Sequence, residues 1–210
     1  MLPGDPRVLT CPKCRGQKSV ISLISGNTFG ATYWSDTKRE APMFPEVSPV
    51  QRCPFCGYYY FTDKQPYRTS DGEYLFCRLG TLSFDECKEA IAQFVEMSLS
   101  AEDMRTLRIL TLFAFNDKYY RNNKDSKTNE DAKFMDDFSF FKDNVLELIK
   151  LLENDDETYL FRAELYREIE MYKECLKLIN RVKTEDERIS AIKDAIKERA
   201  EMEDNAVFRI

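Results

Sequence analysis

Two cysteine pairs constrain this chain more than any other feature. Cys11-Pro12-Lys13-Cys14 and Cys53-Pro54-Phe55-Cys56-Gly57 together read C-x2-C, 38 intervening residues, then C-x2-C. A two-residue gap lets both sulfurs of a pair reach one ion, and two such pairs complete a tetrahedral four-thiolate site. The spacer exceeds the roughly 15–20 residues usual for such sites. Each doubling of a loop costs only about 0.6 kcal/mol of closure entropy, whereas structural zinc contributes about 10–16 kcal/mol in small peptides. One shared ion is therefore compatible with the long spacer. Proline at the second place of both pairs argues against coincidence.

Other uses of such pairs fit less well. A Cys-Pro-x-Cys redox motif belongs in a thioredoxin-like βαβ setting, and both pairs here lie in one β-rich segment. Rubredoxin-like iron uses the same four thiolates, so spacing leaves it open. Zinc suits a tetrahedral thiolate set in a reducing compartment. A closed shell has no position for water. Cys11, Cys14, Cys53 and Cys56 are thus expected to hold structural Zn2+, with no catalytic or other cofactor-binding residues assigned.

The rest of the composition narrows the chemistry. There is no histidine in 210 residues, which removes Ser-His-Asp and Cys-His catalysis and histidine proton shuttling. Cys77, Cys87 and Cys175 read as small buried hydrophobes rather than disulfide partners. No run of about 18 apolar residues exists, and Met1-Leu2-Pro3-Gly4-Asp5 lacks the basic start and apolar core of a signal peptide. A cytoplasmic protein without membrane association is expected.

Residues 1–80 are expected to form a small β-rich zinc-ribbon-like domain and residues 81–210 an antiparallel helical one, an α+β arrangement overall. Strands are predicted at Ser19–Ile24, Ala31–Trp34 and Gly57–Phe61, with Glu73–Cys77 returning antiparallel to the last. Residues 35–49 hold three prolines and read as an irregular excursion. Ser83-Phe84-Asp85-Glu86 is a capping box, and Cys87, Ile91, Phe94 and Val95 follow as one helical stripe. Ser100 opens a second helix running to about Tyr120. Arg121–Asp131 is polar throughout and expected to be mobile. Phe134, Phe138, Phe141, Val145, Leu148 and Leu152 mark a third helix. Three more are predicted near 157–169, 171–183 and 186–202, the last opened by a Thr184–Glu187 capping box.

Two polar groupings carry possible function. Residues 1–80 hold 10 basic and 7 acidic side chains, a net of +3, and residues 81–210 hold 21 and 30, a net of −9. Lys13, Arg15, Lys18, Lys38, Arg39 and Arg52, with Trp34, Phe55, Tyr58, Tyr59 and Tyr60, suit phosphates and stacked bases. The favoured reading is that these aromatics cover a small metal core, strand alternation hiding half of them. Glu164, Glu168 and Glu170 lack a histidine partner for a di-metal site and read as a solvated helix face. No glycine-rich phosphate loop exists. Catalysis has no visible home, and a non-enzymatic protein is expected.

Tyr159 to Leu176 looks like one tetratricopeptide (TPR) unit, with Tyr159, Ala163, Tyr166 and Cys175 at the aromatic and small positions. Glu170 stands where that motif turns, and no second copy occurs 34 residues away. The order of parts, from the first Cys-Pro-x-Cys through Val50-Gln51-Arg52-Cys53-Pro54-Phe55-Cys56-Gly57-Tyr58 to Glu164-Leu165-Tyr166-Arg167, resembles a bacterial family catalogued as domain-of-unknown-function family 2225. That resemblance implies a zinc ribbon on TPR-like helices and brings no activity. The expected function is a protein-interaction scaffold that takes a protein or peptide partner on its helices. The alternative is a zinc ribbon associated with RNA or DNA.

Overall fold

A computed structural model describes residues 2–20, 23–44, 48–69, 75–76, 80–121 and 132–210. Its first part consists of short strands: β1 (Leu2–Pro3), β2 (Arg7–Thr10), β3 (Gln17–Val20), β4 (Leu23–Ser25), β5 (Thr32–Tyr33), β6 (Arg39–Glu40), β7 (Val50–Arg52), β8 (Tyr59–Phe61), β9 (Tyr67–Thr69) and β10 (Leu75–Phe76). Helices α1 (Phe84–Val95), α2 (Ala101–Asn116), α3 (Ala132–Leu152), α4 (Tyr159–Glu168), α5 (Tyr172–Ile179) and α6 (Glu187–Glu201) follow. The expected α+β layout is present. Two compact units result: residues 1–31 with 40–98, which hold the cysteine pairs, and residues 32–39 with 99–210. A division at residue 80 differs from this partition in two places. Helix α1 counts with the cysteine unit, and eight residues of the cysteine spacer count with the helical unit.

In the cysteine unit, β2 and β3 form one antiparallel hairpin and β7 and β8 another. The first sits in a sheet of order β10-β3-β2-β9. The predicted antiparallel return of residues 73–77 onto β8 is corrected: Leu75 and Phe76 pair in parallel with Lys18 and Ser19 of β3. Residues 73, 74 and 77 lie outside the described residues. β8 is engaged on both edges at Tyr59. One edge pairs with β7, and on the other the Gln93 side chain of α1 accepts from Tyr59 N at 3.0 Å and donates to Tyr59 O at 2.8 Å. A side-chain amide thus stands in for a strand.

Helix α1 begins where the capping box places it, with Ser83 Oγ accepting from Glu86 N and the glutamate reaching back to Ser83 N. Phe84, Cys87, Ala90, Ile91 and Phe94 are its buried face. Phe94 packs on Phe61 with ring centroids 5.3 Å apart. Val95, assigned to the same stripe, is 61% exposed.

Two groups of buried residues stand out among the described residues of the helical unit. Leu107, Leu112, Phe115, Phe141, Val145 and Leu148 are wholly buried between α2 and α3, and Phe115 stacks on Phe141 at 4.0 Å. Ala163, Cys175, Ile179, Ile196, Ala200 and Phe208 form the second group, shared by α4, α5, α6 and the segment that follows. The chain turns from α4 to α5 through Glu170 at φ 64°, with Met171 N bonded to Tyr166 O. That is a Schellman closure, whose left-handed position favours glycine. Helix α6 is capped by Asp186, whose Oδ1 accepts from Arg188 N and Ile189 N. The Thr184 capping box is thereby corrected: Thr184 Oγ1 instead accepts from Asp186 N at 3.1 Å.

Candidate metal centre

Each cysteine pair occupies the tip of a hairpin, and the two tips are built alike. Cys11 N donates to Gly16 O at 2.9 Å and Arg15 N to Cys11 O at 3.0 Å. Cys53 N donates to Tyr58 O at 2.8 Å and Gly57 N to Cys53 O at 2.9 Å. The residue after each pair is left-handed, Arg15 at φ 62° and Gly57 at φ 73°. That turn reverses the chain so that both sulfurs of a pair face the same point. Phe55 of the second tip lies against Gly16 of the first, so closely that a Cβ on Gly16 would meet its ring at 2.5 Å.

The four Sγ atoms lie within 4.8 Å of one another. Cys11 and Cys56 are 3.7 Å apart, as are Cys14 and Cys53. A tetrahedron with metal–sulfur bonds of about 2.3 Å has edges of about 3.8 Å, so two cross-pair edges already match. These distances far exceed a disulfide bond. All four donors are sulfur, which suits zinc or another thiophilic ion. The first cysteine of each pair is buried and the second exposed.

The surrounding polar groups favour thiolates unevenly. The Tyr58 backbone amide holds the Cys56 thiol down to about 7. Burial pushes Cys53 up to about 12, against the pull of the Phe55 and Cys56 amides. A buried thiol of that kind would ionise where a cation's charge compensates, so metal binding here would release protons. Four thiolates would fill the tetrahedral shell of one such ion.

A second polar constellation lies in the helical unit and was not foreseen. Arg121 Nη2 donates to Asp36 Oδ2, and Arg121 Nη1 to Asp117 Oδ1 at 2.8 Å. Lys38 Nζ meets Asp117 at 2.6 Å. Asn116 Nδ2 bridges Asp36 Oδ2 and Glu168 Oε2, each at 2.9 Å. Arg167 forks onto Glu164 through Nε at 2.8 Å and Nη2 at 2.5 Å. Glu164 and Glu168 are 0% exposed, which corrects their reading as a solvated face. Arg167 neutralises the first, and Asn116 meets the second. Glu170 is exposed and pairs with Lys142 at 3.1 Å.

Burial, followed by the Glu164 and Asp36 charges, raises the Glu168 carboxyl well above its ordinary value despite Arg167 and the Asn116 bond. Glu168 Oε1 and Asn116 Oδ1 are both buried without a partner. Arg121, assigned to the mobile loop, instead ends a π-helical turn over Asp117–Arg121 and is 7% exposed; residues 122–131 lie outside the described residues. No local signal in the sequence marks Asp36 or Arg121, because their pairing spans the chain.

The basic and aromatic candidates divide between the two units, and in the cysteine unit Lys13 lies over the Tyr58 ring at 5.4 Å. Lys18 is buried, bonded to Gln51 Oε1 at 3.4 Å, and Lys38 is tied to Asp117. Trp34, Tyr59 and Tyr60 are buried, whereas Phe55 is 54% exposed. Alternation hides more than half of β8 because both its faces are covered: Tyr60 joins Cys11 and Cys53 in one cluster, and the Tyr59 hydroxyl donates to Glu89 of α1 at 2.7 Å. Cys87 and Cys175 are buried as expected, and Cys77 lies outside the described residues. Among the described residues no helix is long and apolar enough to cross a membrane. Comparison with protein-family models, curated proteins and solved structures finds no match.

Proposed function

We propose that this chain is a non-enzymatic interaction protein of the cytoplasm, in which a structural zinc ion held by Cys11, Cys14, Cys53 and Cys56 fixes the first unit while the helices bind a protein or peptide partner. The observation that carries the reading is the four-sulfur tetrad, all within 4.8 Å and drawn from two equivalent hairpin tips. Such a shell leaves no coordination position for a substrate. The buried carboxylates support the same reading, since Glu164 and Glu168 are 0% exposed, Glu164 held by Arg167 and Glu168 met by Asn116.

The reading of α4 and α5 as a TPR-like hairpin is supported by Ala163 and Cys175, both wholly buried in one cluster with Tyr166 packed against it. TPR-type hairpins build grooves for peptides. Membership of family 2225 fits this arrangement and is proposed with it. Selection from a random-peptide display library against the full zinc-loaded chain tests the interaction reading. Enrichment of a shared motif supports it, and no enrichment over an unrelated protein sinks it.

One observation favours the nucleic-acid alternative: Phe55 stands exposed at one hairpin tip, against Gly16 of the tip that carries Lys13 and Arg15 in sequence. Binding of single-stranded RNA that weakens steeply with salt and is lost in Phe55→Ala would favour it.

A further inference from the structure

In the helical unit, Arg188, Ala191, Ile192, Ala195 and Arg199 of α6 line one side of a groove of about 690 Å3. They recur at the spacing of a single helical stripe. The opposite wall comes from a short antiparallel pairing in which Ser35 N donates to Phe208 O at 2.9 Å and Ile210 N to Tyr33 O at 3.0 Å. Tyr33 and Ile210 stand 46% and 50% exposed on that wall. The volume lies within the range of about 300–1,000 Å3 typical of ligand sites.

Charge singles this groove out. Residues 81–210 carry a net of −9, yet the charged residues lining the groove are Arg188, Arg199 and Arg209 alone. Arg199 pairs with Asp204 at 2.6 Å and lies over Phe208, and Arg209 lies over Trp34. Arg188 has no ion pair among the described residues. It also sits in the first turn of α6, where the helix dipole disfavours a cation. Its guanidinium fork is available to a carboxylate.

We propose that this groove binds an acidic peptide segment that inserts one aromatic or aliphatic side chain between α6 and the Tyr33–Ile210 wall while its carboxylates meet Arg188 and Arg209. This rests on the reading of the helices as a partner-binding surface and names the chemistry of that partner. Apolar insertion supplies the anchor, and the arginine rim rejects basic and neutral segments.

The test uses the full zinc-loaded chain and a fluorescein-labelled peptide with phenylalanine set between glutamate pairs. Anisotropy reports binding, and emission of Trp34, the chain's one tryptophan, reports occupancy beside Arg209. Saturable binding is expected, weakened about tenfold or more by Arg188→Glu, as loss of a charge-assisted bond implies. Ala191→Phe, at an exposed position, is expected to block the groove with the melting temperature unchanged. Replacing the peptide's phenylalanine by alanine should weaken binding as well. The proposal is overturned if the folded chain shows no saturable binding, if both variants bind like wild type, if single-stranded RNA binds more tightly than the peptide, or if sedimentation shows a dimer that Ala191→Phe dissolves. Display-selected peptides indifferent to Ala191→Phe and Arg188→Glu would refute the groove and leave the interaction reading standing. Failure of the selection itself removes both.

Discussion

Arg121 donates to Asp36 across 85 residues of sequence, with the two side chains 1% and 0% exposed. Asp36 comes from the spacer between the cysteine pairs, and Arg121 ends the turn after α2. The contact pins residues 32–39 into the helical unit. Removing one partner of a buried pair strands the other charge, at about 3–5 kcal/mol. Asp36→Ala should therefore lower the unfolding free energy of the helical unit, read from urea titration, by an amount in that range. Replacing both residues by leucine and methionine should recover most of the loss. An Asp36→Ala chain that unfolds like wild type would contradict the role assigned to this pair.

Glu168 gives the helical unit a pH dependence of definite sign. Burial, with Glu164 and Asp36 nearby, places its folded value above the ordinary 4.5, and Arg167 only partly opposes this. The fold thus holds the proton more tightly than the unfolded chain does. The resulting stabilisation is complete below the unfolded value and is lost as pH rises through the folded one. Glu168→Gln removes the titration and keeps an amide able to pair with Asn116. In urea titrations at pH 5 and pH 8 the variant should gain on wild type at the higher pH. Parallel profiles for the two proteins would count against a protonated Glu168.

The hairpin tips make a paired expectation. Arg15 and Gly57 occupy equivalent left-handed positions, but only one of them is glycine. A side chain there costs roughly 1–2 kcal/mol, offset by the greater unfolded freedom of glycine, about 0.5–1 kcal/mol. Arg15→Gly should raise stability by about 0.5–1 kcal/mol, and Gly57→Ala should lower it by about 1 kcal/mol. Thermal melts of the two variants, each with its metal content measured, decide the matter. A fall in stability for Arg15→Gly would mean that its side chain contributes something the backbone strain does not reveal.

Gln93 tests the attachment of α1 to the cysteine unit. Its amide satisfies both backbone groups of Tyr59, a residue 3% exposed. Gln93→Ala leaves a buried N–H and C=O unpaired, at about 1–3 kcal/mol each. The variant should lose on the order of 2 kcal/mol in the unfolding of this unit, and faster hydrogen exchange at Tyr59 would locate the loss. Unchanged exchange there would show that water replaces the amide without cost.

The parts that short-range chemistry controls were readable in the sequence. Cys-x-x-Cys spacing gave the four cysteines whose sulfurs converge, Ser83 with Glu86 gave the start of α1, and the Phe134–Leu152 periodicity gave α3. The parts decided by distant partners were not. Nothing near Asp36 announces Arg121, and residues 35–39 look irregular because their order comes from the helical unit. Glu164 and Glu168 read as solvated because carboxylates usually are; only the packing of Arg167 and Asn116 makes their burial tolerable. Tyr59 to Phe61 looked half exposed until α1 covered the second face of β8. Thr184 resembled a cap because its pattern is generic, while Asp186, two residues on, accepts the amides.

Cys11, Cys14, Cys53 and Cys56 are proposed to bind one structural metal ion. Elemental analysis of the purified full chain, paired with thermal melts of wild type and Cys53→Ser, tests it most directly. The expected result is one zinc per chain, lost in Cys53→Ser together with the folded transition of residues 1–31 and 40–98. Iron with a red colour would replace zinc by a rubredoxin-like site. A metal-free chain in which Cys53→Ser melts like wild type would contradict the assignment altogether.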